Sequence, residues 1–168
     1  MRIVAVVQAR LGSTRLPRKV LLPLGNETVL GRLLRVLKTC KELDELVLAV
    51  PYNDLFLFDI EMTSSVSWVR GPEHDVLQRF VQAANHCHAD AVVRATGDSP
   101  LLDPNAVDYL VHCYRAKPCD YMAYKPEVRG LQSVEILSRE CLERLDEMPA
   151  KYPDREHAGV TYVLRYPD

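Results

Sequence analysis

The sequence predicts an α/β fold, with a mostly parallel sheet covered by helices on both faces. The chain starts with a continuous apolar, β-branched run at residues 3–7, which is typical of a central strand buried on both sides. Shorter apolar runs follow at residues 46–50, 66–69 and 91–93, and segments with helical periodicity lie between the runs. Strands that alternate with helices favour a parallel sheet whose ligands bind at the carboxyl ends of the strands.

Three segments carry apolar residues at helical spacing. The first lies between Thr28 and Cys40, with basic residues between the apolar positions. Gly71 and Pro72 turn the chain into the second, and Asp103 is the expected N-cap of the third. The predicted inner faces are Val29, Leu30, Leu33, Leu34, Val36 and Leu37; then Val76, Leu77, Phe80, Val81 and Ala84; and finally Val107, Leu110, Val111 and Tyr114.

Two regions have a weaker pattern. Residues 55–63 fit either a short helix or part of a pocket wall, and we favour the helix. Beyond Cys119, residues 120–124 and 133–137 are interpreted as strands and residues 138–145 as a helix. Residues 155–166 are interpreted as a further helix or an arm.

Composition excludes several classes of protein. A chain of 168 residues with 48% hydrophobic and 26% charged residues fits one globular domain, and no segment approaches the roughly 20 apolar residues of a membrane span. A net charge of −2 gives no broad cationic face for nucleic acid. Five scattered cysteines without a CxxC pair, and a start without a cleavage site, favour reduced thiols in the cytoplasm.

The segment from Gln8 to Lys19, QARLGSTRLPRK, follows the first predicted strand and is called the basic loop below. Gly12 permits backbone conformations in which amides turn towards an anion. Arg10 and Arg15 can bind phosphate oxygens in bidentate fashion, and Lys19 adds a compact charge. The segment has neither a Walker nor a dinucleotide motif. A triphosphate site and a solvated basic loop are both compatible with it.

Asp98 follows a predicted buried strand, between Gly97 and Pro100. Mg²⁺ is commonly bound by one or two carboxylates together with substrate phosphates, so a single aspartate can be sufficient as the protein ligand. An aspartate in a turn also often caps its own backbone. The residue pattern leaves both interpretations open.

Other charged residues have two interpretations each. Asp75 and Arg79, one helical turn apart, either pair with each other or bind part of a nucleotide. Arg94 is either a ligand group or a charge at a strand end. The triplet Arg155, Glu156 and His157 is either a substrate contact or the start of a helix.

Four stretches, QARLGSTRLPRKVLLPL, RGPEHDVLQRF, VVRATGDSPLLDP and REHAGVTYVL, resemble the spore coat polysaccharide biosynthesis protein F group of cytidylyltransferases. That group is related to the acylneuraminate and Kdo cytidylyltransferases. The resemblance implies a three-layer α/β/α sandwich of the nucleotide-diphospho-sugar transferase type, with a mixed, mostly parallel sheet. It also implies transfer of CMP from CTP to a sugar or sugar acid in surface polysaccharide biosynthesis, with Mg²⁺ as cofactor and a homodimeric assembly.

The resemblance assigns roles by position. It makes Asp98 the metal ligand. The implied catalytic residues are Arg10, Arg15, Lys19 and Asp98. The implied nucleotide-binding residues are Gln8, Ala9, Arg10, Gly12, Ser13, Arg15, Lys19, Gly71, Asp75 and Arg79. The implied residues near the acceptor sugar are Glu135, Arg155, Glu156 and His157, to which we add Arg94.

The expected chemistry is in-line attack of an acceptor oxygen on the α-phosphorus of the nucleotide, without a covalent intermediate. Two alternatives are a nucleotide-binding protein with impaired catalysis and a glycosyltransferase that uses a nucleotide sugar. The second usually needs a DxD motif, which DSPLLD is not.

The chain departs from the family pattern in two places. Gly130, Leu131 and Gln132 stand where the family typically has GLD, so an acidic group is missing there. The chain ends at Asp168, whereas that family continues into a segment with a VDTPED-like motif. We therefore expect one nucleotidyltransferase-like domain, residues 1–168, that lacks the family's C-terminal segment.

Overall fold

The computed structural model describes residues 1–54, 66–124 and 134–148. The helix favoured at residues 55–63 and the helix or arm at residues 155–166 lie outside these ranges, as does the departure at residues 130–132. The remaining predicted strands and helices can be compared with the structure.

Most of the described strands belong to one six-stranded sheet. The strands are β1 (Ile3–Gln8), β2 (Pro23–Leu24), β3 (Glu27–Thr28), β4 (Glu45–Pro51), β5 (Ser67–Gly71), β6 (Ala91–Thr96), β7 (Tyr121–Ala123) and β8 (Glu135–Ser138). The main sheet has the order β5-β4-β1-β6-β8-β7, while β2 and β3 form a separate antiparallel pair. Strands β5, β4, β1 and β6 run parallel, and β8 is antiparallel to both β6 and β7. The sheet is therefore mixed and mostly parallel, as the resemblance implied.

Four α-helices are present in the described part of the chain. They are α1 (Val29–Leu37), α2 (Val76–His86), α3 (Pro104–Ala116) and α4 (Arg139–Glu147), and a short 3-10 helix spans Lys19–Leu21. The N-caps Thr28, Asp75, Asp103 and Ser138 each accept a main-chain N–H from the first turn. The expected cap at Asp103 is confirmed. No helix within the described ranges combines the length and the apolar character that a membrane span requires.

Strand β1 is the centre of the core. Its side chains alternate, so Ile3, Ala5 and Val7 pack with α1 and α3 on one face, while Val4 and Val6 pack with α2 and α4 on the other. All five are fully buried. The predicted strand buried on both sides is confirmed. Helices cover both faces of the sheet, so the fold has three layers in the order α/β/α.

The register of the sheet places two strand ends side by side. Gln8, the last residue of β1, lies opposite Thr96, the last residue of β6, and opposite Ala49 of β4. Because both strands stop at the same level, the segments that follow them leave the same edge of the sheet. This edge carries the site described below.

The short β2–β3 pair and the reversed direction of β8 were not predicted by the sequence pattern. The two strands of the pair have two residues each, which is too short for an alternating pattern to be recognised. The direction of a strand depends on its partners, and hydrophobic periodicity carries no information about it.

Replacing core Leu33 with alanine should lower the free energy of unfolding by about 2–5 kcal/mol, because it leaves a cavity between α1 and the sheet. The matched control is Leu24→Ala, since the Leu24 side chain is already 39% exposed in the β2–β3 pair. Urea unfolding measures both variants. Equal losses in the two would contradict the assigned core.

Candidate active site

A cavity of about 240 Å³ opens at the carboxyl ends of β1 and β6. The basic loop supplies half of its lining, Val20 of the 3-10 helix one residue, α2 two residues, and β6 with the turn after it four. The lining residues are Gln8, Ala9, Arg10, Ser13, Thr14, Arg15, Lys19, Val20, Val76, Arg79, Arg94, Thr96, Gly97 and Asp98. The basic loop and the segment that carries Asp98, which the sequence placed at neighbouring strand ends, therefore face the same space.

The basic loop leaves β1 in contact with the turn after β6. The Gly97 N–H donates to the Gln8 carbonyl at 2.8 Å, and the Ala9 N–H donates to the Ala49 carbonyl at 3.2 Å. A Cβ atom on residue 97 would lie 2.9 Å from the Gln8 carbonyl oxygen and 3.0 Å from the Ala9 Cβ. Glycine at position 97 is thus required for this close approach of two backbones.

The peptide groups of Leu11 organise the turn inside the basic loop. The Leu11 carbonyl accepts the Ser13 N–H at 2.9 Å and the Arg18 N–H at 3.1 Å. The Leu11 N–H donates to the Asp54 carboxylate at 2.7 Å. Arg18 has φ 55°, a left-handed conformation that is uncommon for a residue with a side chain, and the 3-10 helix that carries Lys19 follows it.

Lys19 and Asp98 form an ion pair at the edge of the cavity. The Lys19 ammonium donates to Asp98 Oδ2, and the two side chains are 31% and 37% exposed. Partial burial raises the pKa of Asp98, but the hydrogen bond and the charge of Lys19 outweigh it and hold that pKa below its ordinary value. Two residues that are far apart in the sequence are thereby joined, and Asp98 is held in its charged form.

Asp98 fits a Mg²⁺ ion bound together with phosphates. It is the one carboxylate among the described residues that line the cavity, and no group of three His, Cys, Asp or Glu side chains is arranged for a metal in the same part of the chain. A single carboxylate leaves coordination positions for water and phosphate oxygens, which is how Mg²⁺ is usually bound. Asp98 also accepts hydrogen bonds from its own backbone and from Thr96, so the turn interpretation holds as well.

Arg79 lines the cavity and is only 1% exposed. It donates to the Pro72 carbonyl and, at 3.1 Å, to the Glu73 carbonyl. Burial and the charge of Arg10 lower the pKa of Arg79, while Asp75, Asp54 and Glu73 act in the opposite direction. The guanidinium is thus held by carbonyls and surrounding acids while it lines the cavity.

Gly71 and Asp75 have visible structural roles near Arg79. A Cβ atom on residue 71 would lie 2.7 Å from the Arg79 Cγ, so Gly71 makes room for that side chain. Asp75 caps α2 by accepting the Gln78 N–H at 2.9 Å. Neither residue lines the cavity, and their part in nucleotide binding stays a prediction.

Arg94 and Glu135 form a buried ion pair of 3.2 Å, with 8% and 1% of each residue exposed. They are register partners on the antiparallel strands β6 and β8. Arg94 lines the cavity, whereas Glu135 does not. Of these two predicted acceptor residues only Arg94 reaches the cavity, with Glu135 as its buried counter-ion, and their part in acceptor binding stays a prediction. The other predicted acceptor residues, Arg155, Glu156 and His157, lie outside the described ranges.

Two acids next to the basic loop were missed by the sequence interpretation. Asp54 accepts the Leu11 N–H, and a Cβ atom on Gly12 would lie 2.5 Å from the Glu73 Oε1. Burial raises the pKa of Asp54, the Leu11 N–H opposes that shift and the charge of Glu73 adds to it. Each acid closely follows the carboxyl end of a strand, β4 or β5, and this position was the signal that could have identified them.

The chain matches the model of the family described as cytidylyltransferase over residues 4–163. A curated relative, the spore coat polysaccharide biosynthesis protein SpsF of Bacillus subtilis, is 36% identical over 173 residues. The match covers 98% of this chain and 71% of the relative.

Solved structures share the fold. A cytidylyltransferase from Leptospira borgpetersenii superposes with a TM-score of 0.87 and 32% identity, covering 98% of this chain and 71% of that one. A CMP:2-keto-3-deoxy-manno-octonic acid synthetase complexed with CTP superposes with a TM-score of 0.76 and 18% identity, covering 98% and 85%. The fold is the three-layer sandwich of the nucleotide-diphospho-sugar transferase type.

Replacing Lys19 with methionine should raise the pKa of Asp98, because partial burial is then no longer opposed by the ammonium group. In the native chain the lowered pKa means that the ion pair stabilises the folded state above the ordinary value of about 3.9 and is lost as the pH falls through the lower, folded value. Carboxyl ¹³C NMR titration measures the shift, and Lys117→Met, an exposed lysine away from the cavity, is the control. An unchanged Asp98 titration in Lys19→Met would contradict the pairing.

Replacing Glu135 with glutamine should cost about 3 kcal/mol of unfolding free energy, because it leaves the buried Arg94 without its counter-charge. Removing both charges in an Arg94→Met, Glu135→Met variant should cost less than that single change. Urea unfolding compares the two. A single variant as stable as the native chain would show that the pair is not the main contact of Glu135.

Proposed function

This chain belongs to the cytidylyltransferase family, and we propose that it transfers CMP from CTP to a hydroxyl group of a sugar or sugar acid with release of pyrophosphate. The observation that supports this best is the cavity at the ends of β1 and β6, where three cations of the basic loop face one carboxylate. Such an arrangement suits a nucleoside triphosphate with a bound divalent cation.

The basic loop has the groups that a triphosphate needs. Arg10, Arg15 and Lys19 line the cavity with positive charge, and Ser13 and Thr14 add hydroxyl donors. Planar guanidinium groups bind two phosphate oxygens at once, while the ammonium acts as a point charge. Together these groups hold the phosphates in place and neutralise charge that builds up on the leaving pyrophosphate.

Asp98 is the residue that would hold Mg²⁺. A Mg²⁺ ion bound there with the triphosphate would neutralise phosphate charge and orient the α-phosphorus. Lys19 already keeps Asp98 ionised, so the carboxylate has the charge state that a metal ligand needs. Asp98 lies at the same edge of the sheet as the basic loop, which is where a metal ligand next to the phosphates is expected.

In the proposed reaction an acceptor hydroxyl oxygen forms a bond with the α-phosphorus. The bond from that phosphorus to the oxygen bridging to the β-phosphorus breaks, and pyrophosphate leaves with the electron pair. The hydroxyl proton passes to solvent. The contribution of the protein is to position both reactants and to stabilise charge, so no nucleophilic side chain takes part.

The acceptor is proposed from Arg94 and from the relatives. Arg94 brings a cation to the cavity, and a sugar acid would offer it a carboxylate. The names of the relatives refer to polysaccharide biosynthesis and to a keto-deoxy sugar acid. We further propose that residues 1–168 form a single nucleotidyltransferase-like domain, and that the protein acts as a homodimer in the cytoplasm on a precursor of a surface polysaccharide.

Lys19→Ala and Asp98→Ala should each reduce turnover with Mg-CTP by roughly 100-fold, because each removes a charge that contacts the phosphates or the metal. Calorimetric titration with each nucleoside triphosphate measures binding, and pyrophosphate release with a panel of sugars and sugar acids measures turnover. The controls are Lys117→Ala and Glu140→Ala, exposed charges that do not line the cavity.

The outcomes separate the possible functions. Native activity in both site variants would contradict the assigned site. Binding of CTP without turnover on any acceptor would favour a nucleotide-binding protein, and preference for an intact nucleotide sugar over CTP would favour a glycosyltransferase.

A further inference from the structure

We propose that Asp54 is a positioning residue for nucleotide binding: its carboxylate holds the Leu11 N–H and thereby keeps the basic loop in the conformation that receives the triphosphate. This inference rests on the proposed function. It concerns a residue outside the cavity lining, in the segment that follows β4.

The first argument is the place of Leu11 in the loop. Its carbonyl accepts N–H groups from both Ser13 and Arg18, so its peptide groups link the start, the tip and the end of the turn. The Leu11 side chain also packs partly against the core cluster shared with β1. A group that fixes Leu11 therefore fixes the orientation of the residues on both sides of it, Arg10 and Arg15 among them.

The second argument is the character of the bond. The Leu11 N–H to Asp54 Oδ2 distance is 2.7 Å, and it joins positions that are 43 residues apart. Hydrogen bonds to a charged carboxylate are shorter and stronger than neutral ones. Loss of the acceptor would leave a partly buried N–H without a partner and would remove the bond that ties the turn of the loop to the segment after β4.

The third argument is that the basic loop contains a residue whose backbone conformation needs support from its surroundings. Arg18 has φ 55°, and its N–H is held by the Leu11 carbonyl. A residue in this region persists only where surrounding contacts determine its conformation. The acceptor in that hydrogen bond belongs to Leu11, which Asp54 holds in place. Arg18 also directly precedes Lys19, which pairs with Asp98.

Asp44 supplies a matched control at the other end of the same strand pair. It accepts the Ile3 N–H at 2.7 Å, at the start of β1, just as Asp54 accepts the Leu11 N–H beyond the end of β1. The two residues flank β4 and make the same type of bond at the same distance. Of the two residues, only Asp54 bonds to the basic loop at the edge of the sheet that carries the cavity.

The test compares Asp54→Ala, Asp54→Asn and Asp44→Ala. Asp54→Ala should weaken Mg-CTP binding roughly tenfold, because binding must now order the loop. Asp54→Asn keeps an oxygen acceptor and should stay within roughly threefold of the native chain. Asp44→Ala should lower the unfolding temperature and leave Mg-CTP affinity unchanged.

Two further measurements separate positioning from general stability. In Asp54→Ala, KM for CTP should rise while kcat at saturating CTP stays near native, because the bound nucleotide restores the loop. Amide hydrogen exchange at Leu11 should lose protection in Asp54→Ala and keep it in Asp54→Asn, with or without nucleotide.

The inference is overturned if Asp54→Ala binds Mg-CTP as the native chain does, if Asp54→Asn is as impaired as Asp54→Ala, or if Leu11 exchange is unchanged. Failure of the proposed function looks different, since the native chain itself would then release no pyrophosphate with any acceptor, whether or not it binds Mg-CTP. Leu11 exchange would still test whether Asp54 holds the loop.

Discussion

The site depends on the position of β1, which is hydrogen-bonded on both edges and packed on both faces. A strand with neighbours on every side has no freedom to shift its register, because a slip of one residue would exchange Val4 and Val6 with Ile3 and Ala5 between the two core faces. The end of β1 at Gln8 is fixed in this way. The basic loop begins at that point and meets the turn after β6, because Gly97 allows the two backbones to touch.

The electrostatics of the site follow from this convergence. Strand ends that meet at one edge bring together charges that would be costly if each were alone in a partly buried place. The structure pairs them instead, with Lys19 against Asp98 and Arg94 against Glu135. Under the proposed function, Mg-CTP gives Lys19 a phosphate partner and gives Asp98 a cation. The Lys19 ammonium and the Asp98 carboxylate then each replace one oppositely charged partner with another, so both stay paired.

The fold was predictable from the sequence wherever a local pattern reports burial. The run at residues 3–7 and the helical periodicities identified β1 and helices α1 to α3, since their core-facing positions repeat with the period of the element. The N-cap at Asp103 was also local. The resemblance implied a mixed sheet without saying which strand is reversed, and the local pattern could not identify β8, because its antiparallel pairing with β6 depends on residues more than 40 positions apart.

The site was predictable to a smaller extent, for the same reason. The basic loop and Asp98 stand out because charge and glycine at a strand end have no packing explanation, and the structure places both at one cavity. Gly71 makes room for the Arg79 side chain, and Asp75 caps the start of α2. Neither role is visible in the local sequence. Asp54 carries no local signal beyond its place after a strand, because its role depends on a contact with Leu11 across the sheet edge.

The two aspartates that flank β4 show how stability differs between the two ends of β1. Burial raises the pKa of Asp44, but the Ile3 N–H and Arg115 outweigh it and the pKa is lowered. Asp44 thus stabilises the fold above the ordinary pKa of an aspartate, and this contribution is lost as the pH falls through the lower, folded value.

Asp54 makes the same kind of bond with the opposite consequence. Burial and Glu73 outweigh the Leu11 N–H and raise its pKa, so its favourable linkage is present below the ordinary pKa and is lost as the pH rises through the folded value. The carboxylate holds the Leu11 N–H at the cavity edge, which an apolar side chain could not do.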